Sequence, residues 1–227
     1  MDRRKFLTST LAAGATASVA STAAAQANKT IRIVGVSCSP REGKTTATAI
    51  QVALDAARTV DPRIRVELID LGGLQIAGSL GGATSAGASQ PEDDFDLEVL
   101  PVLKTPCLPD GMIIGSPSYF RSMSALCKPF LERLQIFREP KLLLADMVLG
   151  ALATGAYRNG GQELVIQEIH TAMLVHEVMV AGGKPRAHQG ATLWNNWKDD
   201  IIKDEFGIET AEQLGIRVAE AALRLKT

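Results

Sequence analysis

Residues 31–46, IRIVGVSCSPREGKTT, limit the possible folds of this chain more than any other segment. The segment begins as a run of β-branched residues, breaks at Ser37 into a small polar loop, and is predicted to open a helix at Thr45 or Thr46. A loop of this kind at a helix N-terminus presents backbone N–H groups to an anion, and the helix dipole favours negative charge. Its hydroxyl and basic side chains favour a phosphate group, and they belong to Ser37, Ser39, Arg41, Lys44, Thr45 and Thr46.

The composition favours one α/β domain. A chain of 227 residues is long enough to bury a full core, and its formal net charge of −1 gives no indication of nucleic acid or of an anionic membrane surface. Aromatic residues make up only 4%, whereas Ala, Gly and aliphatic residues are abundant, which suits α/β better than all-β folds. The three cysteines and three histidines are scattered without the spacing of a zinc or iron–sulfur site, so no metal site is predicted.

The first 25 residues resemble a twin-arginine export signal. Arg3 and Arg4 precede Phe-Leu, a mildly apolar run follows to residue 24, and Ala23 to Ala25 form a small-residue cleavage site. The alternative is a short apolar anchor, but the run is too polar to span a bilayer well. We therefore expect a signal peptide at residues 1–25, a folded domain at 26–227, a periplasmic or secreted location, and no stable membrane anchor.

The rest of the chain alternates strands with helices. The segment at 72–90 is rich in Gly, Ala and Ser and is too long for a simple connection, so it is interpreted as a mobile loop or a lid. Residues 185–196 are interpreted as irregular. Apolar periodicity predicts strands at 31–36, 65–71, 112–115, 146–153 and 178–181, and helices at 45–60, 91–105, 122–137, 162–176 and 210–225.

This alternation predicts a parallel sheet covered by helices on both faces. Such sheets bind ligands beyond the carboxyl ends of their strands, where the strand order reverses. Loops of small residues follow the first, third and fourth predicted strands. These three strands are neighbours in a sheet of order 2-1-3-4-5, so the three loops are expected to converge on one site.

The phosphate loop has two interpretations. Gly43, Lys44 and Thr45 match the end of a nucleotide-binding P-loop, G-x-x-x-x-G-K-[ST], but Cys38 stands where that motif has its first glycine. A Cβ atom at this position is poorly tolerated by the tight backbone wrap. In addition, no convincing magnesium-binding aspartate ends a later strand, and Asp70 is the nearest candidate.

The second interpretation is by resemblance. VGVSCSPR followed by GKTT is similar to the phosphate loop of the NAD(P)H-dependent FMN reductase and iron–sulfur flavoprotein branch of the flavodoxin-like proteins. IIGSPSYF with SMSA resembles the second segment of that branch, and ATG with GGQE resembles the third. The resemblance covers most of residues 31–183 and implies a flavodoxin-like three-layer sandwich with a five-stranded parallel sheet in order 2-1-3-4-5.

The resemblance also implies FMN as the cofactor, with no catalytic side chain, because the flavin carries the redox chemistry. The phosphate would be held by Ser37, Ser39, Arg41, Gly43, Lys44, Thr45 and Thr46. The ribityl chain and one side of the ring would contact Pro117, Ser118, Tyr119 and Phe120. The other side of the ring would contact Thr154, Gly155, Tyr157, Arg158, Asn159, Gly160 and Gly161.

Several of these residues have a purely structural alternative. Tyr119 and Phe120 could pack at a strand end, Arg158 could be a solvated loop charge, and residues 159–161 could be a simple turn. Cys38 is either a small loop residue or a redox-sensitive thiol. Trp194 and Trp197 are interpreted as packing of the C-terminal segment or as a subunit contact rather than as substrate contacts.

The function implied is an FMN-dependent NAD(P)H oxidoreductase that passes electrons to a quinone, a free flavin or a similar small acceptor. The alternative is an exported flavodoxin-like electron carrier, or an FMN-binding module without its own substrate. Export would also remove the protein from the cytoplasmic nicotinamide pool, so either the electron donor is a different one or the export prediction is wrong. Iron–sulfur members of the branch carry a compact cysteine group in the region that spans residues 72–106 here; this chain has no cysteine there before Cys107, so no cluster is predicted there. The resemblance further implies a homo-oligomer, either a dimer or a tetramer.

Overall fold

The computed structural model describes residues 29–80 and 91–226. The predicted signal peptide and half of the predicted loop at 72–90 lie outside this part of the chain. The strands are β1 (Ile31–Ser37), β2 (Ile64–Asp70), β3 (Gly111–Pro117), β4 (Val148–Gly155), β5 (Met179–Val180) and β6 (Ala191–Trp194). The helices are α1 (Thr45–Arg58), α2 (Leu100–Lys104, continuing a π-helical turn at Phe95–Val99), α3 (Cys127–Arg133), α4 (Gln162–Met173) and α5 (Glu205–Lys226).

The strands form one parallel sheet, and the predicted order β2-β1-β3-β4-β5 is confirmed. Strand β1 lies between β2 and β3, and its Ser37 is paired with Asp70 of β2 and Gly115 of β3. Strands β1, β3 and β4 are buried along their whole length, as expected for a sheet covered on both faces. Their carboxyl ends therefore meet at a single edge of the sheet.

The edge next to β4 is shared by two short strands, one of which the sequence did not reveal. Strand β5 pairs with the start of β4, and β6 pairs with its end, where Gly155 lies opposite Trp194. The segment at 185–196, predicted to be irregular, therefore contains a strand. The two strands are connected by a tight loop in which the Gly183 N–H donates to the Ala187 carbonyl at 2.5 Å. After this loop, β6 runs along the end of β4, toward the carboxyl edge of the sheet.

Two apolar layers cover the sheet. On one face, α1 and α5 pack through Ile50, Leu54, Leu214 and Val218. The opposite face is covered by α3, α4 and the helical turns before β3, with Phe95, Phe130, Phe137, Ile166 and Ile169 fully buried. Within the described part of the chain, no helix combines the length and the apolar character needed to cross a membrane.

The helix predicted at 122–137 is shorter than expected. It begins only at Cys127, because the chain first makes a turn closed by a bridge between Tyr119 and Ser122. Phe120 and Arg121, at the tip of this turn, have left-handed φ angles of 51° and 68°. The turn keeps residues 118–121 in the loop that follows β3 rather than in the helix.

The apolar periodicity of the predicted helices also places Leu97, Leu164 and Leu225 on buried faces, but all three side chains are exposed. Leu164 illustrates the reason. Periodicity predicts Leu164, Ile169 and Met173 as the buried face of α4, but in the first turns of the helix Val165 and Ile166 are buried in place of Leu164. The predicted inward positions Ile169 and Met173 are buried.

Candidate functional site

A cavity of about 720 Å³ lies at the carboxyl edge of the sheet. This volume is within the range of small-molecule and cofactor sites. The cavity is formed by the loops after β1, β3, β4 and β6, so the predicted convergence of three loops is observed and a fourth segment joins them. The predicted residues that line it are Arg41, Thr45, Pro117, Ser118, Tyr119, Phe120, Thr154, Gly155, Tyr157 and Gly160.

One end of the cavity is the N-terminus of α1. The N-cap residue, Lys44, makes no side-chain capping hydrogen bond, and the first turn contains no acidic residue. The first N–H groups of a helix have no partner within the helix, and here the described residues supply no capping side chain. Arg41 and Thr45 line the cavity at this end. The arrangement provides positive charge, a hydroxyl group and outward-facing N–H groups for an anion.

The other residues predicted to bind the phosphate mainly contact the protein itself. The Ser39 hydroxyl accepts a hydrogen bond from the Arg41 N–H at 3.1 Å, and the Gly43 N–H donates to the Asp70 carboxylate at 2.7 Å. Thr46 is buried and bonded to Thr154. The Ser37 hydroxyl is fully buried and has no hydrogen-bond partner within the described structure. Ser37, Ser39, Gly43, Lys44 and Thr46 are not among the residues that line the cavity.

The loops after β3 and β4 are joined to each other. The Ser118 hydroxyl donates to the Gly160 carbonyl at 2.7 Å, and Ser118 N–H donates to the Thr154 carbonyl at 2.7 Å. Gly161 lies so close to Arg121 that a Cβ atom on the glycine would be 2.7 Å from the Arg121 Cα. The two loops thus form one continuous wall, with the ring of Tyr119 on the cavity side.

Three predicted residues of the β4 loop lie elsewhere. Arg158, Asn159 and Gly161 line a neighbouring polar cavity of about 300 Å³. The Arg158 guanidinium forms an ion pair with the buried carboxylate of Asp204 and lies 5.4 Å from the ring centre of Trp194. Arg158 is therefore a half-exposed loop charge that is ion-paired to Asp204 at the start of α5, and it does not line the main cavity.

Sequence reasoning missed five residues on the cavity wall: Arg121, Ala156, Asn195, Trp197 and Asp199. The last three follow β6, and the Asn195 N–H donates to the Gly155 carbonyl at 2.9 Å. Trp197 packs edge-to-face against Tyr157, with ring centres 5.4 Å apart. The sequence contained no signal for this placement, because it depends on the pairing of a four-residue strand with β4.

The thiol of Cys38 lies behind the phosphate loop. It is fully buried, and burial raises its pKa, with the hydrogen-bonded thiol of Cys127 adding to the effect. A thiol with a raised pKa is poorly ionised and weakly reactive, so this position is that of a small packing residue rather than of a redox sensor. Within residues 29–80 and 91–226, no group of three or more His, Cys, Asp or Glu residues is arranged to hold a metal ion.

The sequence profile of the NADPH-dependent FMN reductase family matches residues 31–192. The chain belongs to this family. An iron–sulfur flavoprotein of Methanocaldococcus jannaschii is 36% identical over 199 residues, which cover 86% of this chain and all of the relative. The family match favours the flavin interpretation of the phosphate loop over the P-loop interpretation.

Solved structures show the same fold as this FMN reductase family member. The structure of RosB with a bound flavin-derived intermediate superposes with a TM-score of 0.66 at 14% identity, covering 86% of this chain and 80% of that one. A WrbA-like flavodoxin from Agrobacterium tumefaciens superposes with a TM-score of 0.56 at 18% identity, covering 86% and 99%. The predicted flavodoxin-like fold is thereby confirmed.

The cofactor of this FMN reductase family member is FMN, and the residues present fit it. The uncapped N-terminus of α1 suits the phosphate group, as described above. The cavity is also lined by Tyr119, Tyr157 and Trp197, whose aromatic side chains suit a flat ring system. The chain is accordingly a flavin-dependent oxidoreductase.

Proposed function

We propose that this protein oxidises NADPH or NADH and passes the electrons, by way of bound FMN, to a small acceptor such as a quinone or a free flavin. FMN supplies the hydride and electron chemistry when it is bound. The observation that carries the proposal is the cavity itself, which joins an anion site at the N-terminus of α1 to an aromatic wall around Tyr119, Tyr157 and Trp197.

The chain contributes binding and positioning rather than a nucleophile. Arg41, Thr45 and the first N–H groups of α1 hold the phosphate. The joined loops after β3 and β4 hold the ring from its sides, and the Ser118–Gly160 hydrogen bond keeps these loops together. The Tyr157–Trp197 pair lines the same cavity and would give the flat ring an aromatic contact.

We propose that electrons pass through the flavin alone. The relative from M. jannaschii is named an iron–sulfur flavoprotein. A four-iron cluster is held by four cysteine thiolates, whereas this sequence has three cysteines, of which Cys38 and Cys127 are buried in the core. Measurement of protein-bound iron and acid-labile sulfide after anaerobic purification tests this point, and stoichiometric iron and sulfide would contradict it.

The first test of the function is the visible absorption spectrum of the protein before and after addition of FMN and desalting. Retained flavin bands are expected for the wild-type protein. Thr45→Val should weaken retention, because it removes a hydroxyl from the phosphate end of the cavity. Thr48→Val is the matched control, because Thr48 lies in the same helix but is exposed and outside the cavity.

The second test is steady-state turnover of the FMN-loaded protein with NADPH or NADH and a soluble quinone. Turnover with either donor supports the oxidoreductase. The resemblance of residues 1–25 to an export signal favours the alternative of an electron carrier that draws electrons from another protein. A carrier would retain FMN and accept electrons from dithionite, yet show little or no turnover with either nicotinamide donor.

Export and assembly are two further proposals. Replacement of Arg3 and Arg4 by lysine should keep the protein in the cytoplasm if residues 1–25 act as a twin-arginine signal, which cell fractionation measures.

We also propose a homo-oligomer, either a dimer or a tetramer. Light scattering coupled to size-exclusion chromatography tests this, and a monomeric mass at micromolar concentration would contradict it.

A further inference from the structure

The two cationic side chains of the phosphate loop are ion-paired with a carboxylate. Asp199 lies 2.5 Å from the Arg41 guanidinium and 3.5 Å from the Lys44 ammonium, measured between the nearest charged atoms. These two cations flank the uncapped N-terminus of α1, so a phosphate group bound there would lie near both. Asp199 is the one acidic residue on the wall of the main cavity within the part of the chain that the structure describes.

The position of Asp199 is built into the fold. The segment at 195–199 follows β6 and turns sharply, with left-handed φ angles of 48° at Asn196 and 61° at Trp197. The Trp197 N–H donates to the Asn195 side chain at 3.1 Å, and the Lys198 N–H donates to the Asn195 carbonyl at 2.8 Å. This turn connects the β4 loop, where the Asn195 N–H donates to the Gly155 carbonyl, to the phosphate loop, where Asp199 contacts Arg41.

The charge of Asp199 is maintained at neutral pH. The hydrogen bond from Arg41 lowers the pKa of Asp199, and the charges of Arg41 and Lys44 act in the same direction. Asp70, another carboxylate at this loop, accepts hydrogen bonds from the N–H groups of Gly43 and Gly72. Asp199 therefore differs from Asp70 in that it competes directly for the two cations.

We infer that Asp199 is an internal counter-ion of the phosphate loop that lowers the affinity of the cavity for the flavin phosphate, and so sets how strongly the protein prefers FMN to riboflavin. A phosphate bound at α1 either displaces Asp199 from Arg41 and Lys44 or lies close to its negative charge. Both situations oppose binding of the phosphate, and neither affects a flavin without one. The inference rests on FMN as the cofactor.

The test is a titration of the flavin-free full-length protein with FMN and with riboflavin, followed by the quenching of flavin fluorescence. Asp199→Asn removes the charge and keeps the size of the side chain. We expect it to strengthen FMN binding about tenfold at low ionic strength while riboflavin binding changes less than about twofold. The gain for FMN should shrink at about 1 M salt, because Arg41, Lys44 and Asp199 are all half-exposed and screened.

Asp200→Asn is the matched control. Asp200 carries the same charge one residue further on, lies outside the cavity wall, and accepts a hydrogen bond only from the Ile202 N–H among the described residues. It should change neither dissociation constant by more than about twofold. Thermal unfolding of each variant confirms that it is folded, and Asp199→Ser provides a second removal of the charge.

The outcomes separate the inference from the cofactor assignment. If the wild-type protein binds neither flavin, the assignment of FMN fails and the inference fails with it. If the wild-type protein binds FMN but Asp199→Asn and Asp199→Ser leave the preference for FMN over riboflavin unchanged or reduce it, only the inference is overturned. A reduction would show that Asp199 holds Arg41 and Lys44 in place for the phosphate instead of competing with it.

Discussion

The hydroxyl oxygens of Thr46 and Thr154 lie 2.8 Å apart in a buried hydrogen bond that joins the first turn of α1 to the end of β4. The two residues are 108 positions apart in the sequence. Through this contact the phosphate loop and the loop after β4 hold a fixed relative position, which places the two ends of the cavity at a defined separation.

A double-mutant cycle tests the contribution of this hydrogen bond to stability. Thr46→Val or Thr154→Val alone should lower the free energy of unfolding by about 1–3 kcal/mol, because each leaves the other hydroxyl buried without a partner. The double variant should cost less than the sum of the two, because both hydroxyls are then gone. Urea denaturation measures all three variants. Thr48→Val, an exposed position in the same helix, should stay within about 0.5 kcal/mol, and strict additivity of the two single changes would contradict the bond.

Replacement of Arg32 is expected to lower the stability of the protein strongly. Its buried guanidinium forms an ion pair with Glu67 at 2.5 Å and donates to the carbonyls of Val102, Leu103 and Cys107 at 2.7, 3.1 and 2.7 Å. Arg32→Met should lower the free energy of unfolding by about 3–5 kcal/mol, because these acceptors lose their partner.

The control for Arg32 is Arg58→Met. Arg58 lies in the exposed last turn of α1 and pairs with Asp55 at 2.8 Å. Loss of such a surface pair should cost less than about 1 kcal/mol. Equal midpoints of chemical denaturation for the two variants would show that the network around Arg32 contributes nothing specific.

Gly161 is predicted to control the shape of the cavity. Gly161→Ala places a Cβ atom 2.7 Å from the Arg121 Cα at a φ of 96°, so the loops after β3 and β4 must separate. The dissociation constant for FMN should rise about tenfold, as measured by fluorescence titration. Gly73→Ala is the control for backbone strain alone, because Gly73 has a φ of 84° but a Cβ atom there meets nothing within 4 Å. It should lower stability by about 1 kcal/mol without changing FMN affinity, and similar affinities for both variants would refute the prediction.

The protein is expected to become less stable in mild acid because of two histidines. Burial lowers the pKa of His170 and of His176, with the charge of Arg138 adding to the effect at His176. The unfolded chain therefore binds more protons than the folded one below about pH 6.5, and stability falls as the pH drops from there toward the folded-state pKa values.

The measurement is the urea midpoint at pH 7.5, 6.5 and 5.5. The wild-type midpoint should fall across this series, and the fall should be smaller in the double variant His170→Gln/His176→Gln. The carboxylates whose pKa values are lowered, such as Asp96 and Glu132, act at a lower pH and so do not enter this window. An unchanged pH slope in the double variant would assign the effect to other groups.

Most of the fold could be predicted because its signals are local. Each of the three long buried strands is a continuous apolar run, and each is followed by small residues where the chain leaves the sheet. Parallel strands place such exits on one edge, so the convergence of the loops around Thr45, Ser118 and Gly155 followed from the order of the elements alone. The turn at Phe120 and Arg121 could not be predicted, because neither residue type favours a left-handed backbone.

The sequence by itself determined the layered α/β architecture, the phosphate loop and the family of the chain, because periodicity and short motifs are properties of neighbouring residues. Tertiary structure alone decided that Asp199 reaches Arg41 and Lys44, that Trp197 packs on Tyr157, and that Arg158 turns away to Asp204. Each of these contacts joins segments that are distant in sequence. The position of each contact depends on the pairing of β6 with β4 and on where the chain enters α5. Neither of these is indicated by the local sequence of the segments involved.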